Sequence, residues 1–185
     1  RKEINLFAER MRRMFGMLKD LLHETNENEF NKLFSRIEKY ENISDNMELE
    51  IANYLNKVSE GRLSSESKLE IRGMLREVTE IESIGDSCYN LARTINRKRS
   101  GGNDFTEKQY EHIHQMMQLT NDALAHMIAV VEDDHHVVDV NKSFNIENEI
   151  NNYRAQLKNQ NVVDVNNKEY DYQMGVHYMD IIGEC

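Results

Sequence analysis

Two stretches of this sequence set an acid, three residues and a second acid around an Ile-Gly pair. They are Glu82-Ser83-Ile84-Gly85-Asp86 and Asp180-Ile181-Ile182-Gly183-Glu184. A plainer relative precedes each one: Glu41-Asn42-Ile43-Ser44-Asp45 and Glu147-Asn148-Glu149-Ile150-Asn151. On a helix, residues four apart share a face. Carboxylates gathered on one face repel each other, by roughly 0.2–0.5 kcal/mol per i, i+4 pair. A cation relieves that repulsion, and oxygen-only donors suit hard ions such as Mg, Ca, Mn or Fe.

Spacing alone does not carry the argument. With 33 acids in 185 residues, chance supplies about six such pairs. Asp20/Glu24, Glu66/Glu70 and Glu107/Glu111 are ordinary examples. Position says more. The motif residues follow, by one position each, Tyr40 and Ser44, Ile81 and Gly85, Ile146 and Ile150, and Met179 and Gly183. If those are seam positions, all four motifs lie along the same edge of a helix interface. A mid-helix glycine costs about 1 kcal/mol relative to alanine. Gly85 and Gly183 are therefore expected to admit a neighbouring helix closely. The rival reading is a solvated flank beside an ordinary seam.

The elements that must position these acids are helices. Residues 28–59 carry Phe30, Leu33, Ile37, Tyr40, Ser44, Met47, Ile51, Tyr54 and Val58 at alternating spacings of three and four, a heptad seam. Residues 65–99 repeat it through Ile71, Met74, Val78, Ile81, Gly85, Cys88, Ala92 and Ile95. An earlier helix over 3–24 has Ile4, Phe7, Met11, Met14, Leu18 and Leu21 on one face. Glu60-Gly61-Arg62-Leu63-Ser64 is a short turn with Ser64 as N-cap, and short turns join antiparallel neighbours. Ser100-Gly101-Gly102-Asn103 breaks the chain, and Asp104-Phe105-Thr106-Glu107 opens a fourth helix with a capping-box pattern, running to Glu132. A turn at Asp133-Asp134-His135-His136, a fifth helix over 139–159, a turn at Asn159-Gln160-Asn161 and a sixth helix from 164 complete the plan. The expectation is an all-α fold of two three-helix-bundle repeats, 1–100 and 101–185, the second truncated in its last helix.

Composition agrees and excludes several functions. There is no proline and there are only eight glycines, which favours long unbroken helices. A net charge of −10 argues against duplex nucleic acid as a partner. Arg97-Lys98-Arg99 suits a helix C-terminus, where the dipole favours cations. No run of about 18 apolar residues exists, so the stretch spans no membrane. The two cysteines form no disulfide framework and suit a reducing compartment, with Cys88 on an apolar stripe. Glu111/His114 and Glu132/His135 are Glu-x-x-His pairs of the di-iron type, but 21 residues of helix hold them about 30 Å apart. They read as exposed histidines, and Asp133-Asp134-His135-His136 as a solvated turn. Phosphate loops, nucleophile elbows and zinc-type cysteine sets are missing. The chain is expected not to be an enzyme.

Glu82-Ser83-Ile84-Gly85-Asp86 resembles the E-x-I-G-D signature of the PhoU family of phosphate-regulatory proteins. The similarity extends over nearly the whole chain, as two three-helix repeats with acidic motifs in the second and third helices of each. It implies an all-helical regulator of phosphate uptake that binds metal, whether Fe, Mn, Mg or Ca, through Glu41, Asp45, Glu82, Asp86, Glu147, Asp180 and Glu184. Asn151 replaces an acid, so the first repeat is the better ligand set. PhoU-like domains also form soluble C-terminal tails of bacterial sodium/phosphate cotransporters. The Arg1-Lys2 start, without methionine, suits such a tail on the cytoplasmic side of the inner membrane. Its partner is then the transporter domain of the same polypeptide, with a homo-oligomer possible and no nucleic acid. The alternatives are a free-standing uptake regulator acting on a transporter or kinase, a carboxylate-metal oxidase, and a helical interaction module without metal.

Overall fold

The structure, a computed structural model, describes residues 1–132 and 140–185. Six helices follow in order: α1 (Lys2–His23), α2 (Glu27–Ser59), α3 (Ser65–Ser100), α4 (Glu107–Glu132), α5 (Val140–Asn166) and α6 (Tyr172–Glu184). The all-α fold is as the sequence predicts. The turn expected at residues 133–136, the start of the fifth helix at 139 and the His135 end of the second Glu-x-x-His pair lie outside the described residues.

The starts of the helices are written locally. Asn26 Oδ1 accepts from Glu29 N at 3.1 Å, Ser64 Oγ from Ser67 N at 3.1 Å, and Asp171 Oδ1 from Met174 N at 2.8 Å. Each bond satisfies a backbone donor that the first helical turn leaves free. The capping box of α4 falls two residues later than expected. Thr106 Oγ1 accepts from Gln109 N at 3.1 Å, and Gln109 Oε1 accepts from Thr106 N at 2.9 Å. Asp104 is drawn elsewhere: its Oδ1 takes Lys98 Nζ and Tyr110 Oη, both at 2.5 Å.

Helices α1, α2 and α3 pack on one another, as do α4, α5 and α6, and the two sets meet through α1 against α4 and α3 against α6. Helix α1 is the common element. Ten of its 22 residues are buried, from Ile4 to Leu22, on more than one face. Helix α2 buries only four of 33, Phe30, Ile37, Ser44 and Leu55, as suits an outer helix. The α2 seam weakens towards its C-terminus, where Tyr54 is 68% exposed, because α1 is 11 residues shorter and cannot cover the far end of the α2–α3 hairpin. Thirty-three residues of helix span about 50 Å, against about 33 Å for α1.

The second set departs from the predicted boundaries. The turn expected at Asn159-Gln160-Asn161 is helix interior, and α6 starts at Tyr172 rather than 164. The asparagines do not end α5 because their neighbourhood supports the helix. Gln160 Nε2 donates to Asp164 Oδ1 one turn on at 2.8 Å, and Asn161 Oδ1 accepts from Tyr170 Oη at 2.8 Å. The chain reverses instead at Lys168, whose φ of 60° is the left-handed conformation that ends helices.

Candidate metal centre

At the level of Gly85 the three helices of the first set pack tightly. A methyl group there would lie 2.9 Å from both Met11 Sδ of α1 and Ser44 Oγ of α2. Ser44 is buried, its hydroxyl turned towards Met11 Sδ at 3.5 Å. Asp45 and Asp86 are the next residues along α2 and α3. Close packing of Gly85 on Ser44 therefore carries their carboxylates towards each other from two helices.

The result is a group in which one oxygen each from Glu41, Asp45 and Asp86 lies within 4.8 Å of the others. Those separations suit a cation held at 2.0–2.6 Å from each oxygen. Glu82, one turn before Asp86, adjoins the group and interacts electrostatically with Asp86, Glu48 and Asp45. Partial burial, then the charge of Asp86 and its hydrogen bond, then Glu48 and Asp45, push the Glu82 carboxyl up to about 7. Burial and the charges of Asp45, Asp86 and Glu38 raise Glu41 as well. Among the described residues, no ion pair reaches Glu41, Asp45, Glu82 or Asp86.

Sequence reasoning missed two members of this surface. Glu38 and Glu48 extend Glu41 and Asp45 into a ladder along α2 with spacings of three, four and three, each rung facing α3. Glu38 also accepts a hydrogen bond from Tyr89 Oη of α3 at 3.2 Å. The signal was present as i, i+3 spacings, which a search restricted to i, i+4 pairs passes over.

The second set of acids is arranged differently. Glu147 is exposed in a groove with Asn151, Arg154 and His126, Asp180 is exposed in another groove between α5 and α6, and Glu184 is half-buried beside Cys185. Among the described residues, these three do not join a group like the first. Arg154 occupies the space between the two motifs, donating to Asn151 Oδ1 at 2.9 Å and to the Ile182 carbonyl at 3.4 Å. Gly183 is exposed, with no atom of another element within 4 Å of a Cβ placed there, so it is not the close-approach glycine expected. Gly175 is: a Cβ would meet Val165 Cγ2 at 2.8 Å.

Among the described residues, no histidine joins the acidic group. His114 is exposed but not solitary, since its Nε2 meets Nε2 of His23 across the α1–α4 contact. Cys88 is core, and burial pushes its thiol up, away from thiolate chemistry.

Residues 4–95 match the PhoU domain family. Residues 4–95 are a PhoU domain. The match covers most of α1–α3 and contains Glu41, Asp45, Glu82 and Asp86. It stops before α4, and the match does not extend to α4–α6. No curated protein and no solved structure matches the chain. Among the described residues, no helix is long and apolar enough to cross a membrane.

Proposed function

We propose that this chain is a non-catalytic regulator of phosphate uptake whose PhoU domain holds a hard cation between α2 and α3. PhoU domains are in general regulatory domains of phosphate homeostasis. The observation that carries the metal reading is the convergence of Glu41, Asp45 and Asp86 from two helices, with no ion pair to any of them among the described residues. Glu41, Asp45 and Asp86 are the ligands, and Glu82 enters as ligand or as hydrogen-bonding neighbour once it is ionised. A bound divalent or trivalent ion (Fe, Mn, Mg or Ca) would cross-link α2 to α3. Glu147, Asp180 and Glu184 are weaker candidates, because Arg154 already supplies positive charge next to Asn151.

The finer reading is a domain docked on the cytoplasmic face of a sodium-dependent phosphate transporter, with cation occupancy setting the docked state. It rests on the family and on the acidic signature. Metal content by mass spectrometry of untagged protein tests the ion: about one ion per chain, lost in the Asp45→Asn/Asp86→Asn variant, is expected. A metal content indistinguishable between the two proteins would remove the site. Phosphate uptake in cells lacking the chain tests the physiological role, and unchanged uptake and unchanged response to phosphate would reject it.

A further inference from the structure

His23 is the last residue of α1 and His114 lies two turns into α4, and their Nε2 atoms meet across the contact between the two helices. Both side chains are exposed. The ring centroids stand 4.6 Å apart. Tyr110, one turn before His114, packs beside both rings, at 5.6 Å from His23 and 6.5 Å from His114. Its hydroxyl is tied to Asp104 and Lys98, which holds the flanking ring in place.

Two imidazole nitrogens that face each other cannot both carry a proton, since a hydrogen bond needs one donor and one acceptor. Burial, then the charges of His23 and Lys19, lower the pKa of His114, so its ring is neutral at pH 7. Neutral imidazole nitrogens suit zinc and the other late first-row ions. An ion bonded to both at about 2.0–2.1 Å, at a tetrahedral angle, sets the nitrogens about 3.3 Å apart. Exposed rings reach that separation by small χ rotations.

Each histidine also has an exposed acid three residues before it, Asp20 on α1 and Glu111 on α4. Residues three apart share a helix face. The Glu-x-x-His pair of α4 therefore has its counterpart in Asp20-Leu21-Leu22-His23 of α1, not in Glu132 and His135. Among the described residues, no ion pair reaches Asp20 or Glu111. Neither joins the imidazoles in a ready-made group of three, so the two rings anchor the ion and a carboxylate or water completes its shell. Lys19, whose charge acts on His114, opposes a cation, and the two acids outnumber it.

We propose that His23 and His114 together bind one divalent ion of the zinc class, with Asp20 or Glu111 as a further ligand, and that the ion clips α1 of the PhoU domain to α4 outside it. The site is separate from the acidic group on α2 and α3, whose oxygen-only donors suit harder ions. An ion that binds only where α1 and α4 are docked stabilises that arrangement.

The test is a calorimetric titration of the untagged full chain with zinc. Cobalt serves as a second probe, since its visible absorption reports nitrogen ligation. The Asp45→Asn/Asp86→Asn variant is the background, so that the acidic group contributes nothing. Zinc is expected to bind at about one ion per chain and to raise Tm, and magnesium to do neither. His23→Gln and His114→Gln change exposed side chains and keep the fold. Each is expected to lower zinc affinity at least about tenfold, or 1.4 kcal/mol. The double variant should lose less than the product of the two, because one ion shares both rings. Unchanged zinc affinity in either histidine variant would overturn the proposal. So would two ions per chain, one lost with each histidine, or a cobalt spectrum without nitrogen ligation.

Discussion

Glu82 is the residue at which charge, burial and stability meet. Its carboxyl is raised from the ordinary 4.5 to about 7, so between those values the folded chain holds a proton that the unfolded chain has released. Unfolding then releases that proton, and stability falls as pH rises through the window. Glu82→Gln should remove this slope and raise Tm at pH 8 in metal-free protein. Screened by solvent the gain is about 1 kcal/mol, or about 2–4 °C for a chain of this size. A melt series from pH 5 to pH 8 checks it; parallel slopes in the two proteins would contradict the assignment. The same proton competes with a cation, so apparent affinity for Mg or Mn should rise between pH 6 and 8 in the parent protein. Neither effect was legible from residue type. Glu82 and Glu66 are the same residue type at the head of i, i+4 acid pairs, and the seam offset that sets Glu82 apart does not by itself report its raised carboxyl, which comes from the packing of α2 against α3.

At the scale of elements, the spacing of α2 and α3 is set by Gly85. Valine there must displace Met11 and Ser44, which an overpacked core resists by about 1–3 kcal/mol. Gly85→Val should therefore shift the urea midpoint down and, by parting Asp45 from Asp86, weaken cation binding as well. The equivalent change at Gly183 meets open space and should leave cation binding intact. The heptad seams, the caps at Ser64 and the turn at 60–64 were readable because they depend on neighbours three or four residues away. The C-terminal boundary of α5 was not. Asn159-Gln160-Asn161 has turn composition, but Asn161 is engaged by Tyr170 from beyond the true turn and by the backbone gap at Gly175. The approach at Gly175 joins α5 to α6, and no local pattern reports it. Arg154 escaped notice for the same reason, since its partner carbonyl at Ile182 lies 28 residues on.

As a whole molecule, the described residues share one core. A continuous cluster runs from Ile4 and Phe7 of α1 through Val78 and Leu91 of α3 to Ile113, Met117, Tyr178 and Ile182. We propose that 1–100 and 101–185 are two structural repeats, yet α1 packs on both. Heat should therefore melt them together, with calorimetric and van't Hoff enthalpies equal. Two resolved transitions would show the sets to be separate folding units. The α3–α6 contact also imposes an order on manufacture. Buried residues of α3 such as Ile81 and Cys88 belong to the same cluster as Met174, Ile181 and Ile182, made some ninety residues later. A ribosome adding about 5–20 residues per second leaves that apolar strip uncovered for about 5–20 s. Glu41, Asp45, Glu82 and Asp86 are already made in that interval, so the acidic edge of the α2–α3 hairpin stands before the strip beside it is covered.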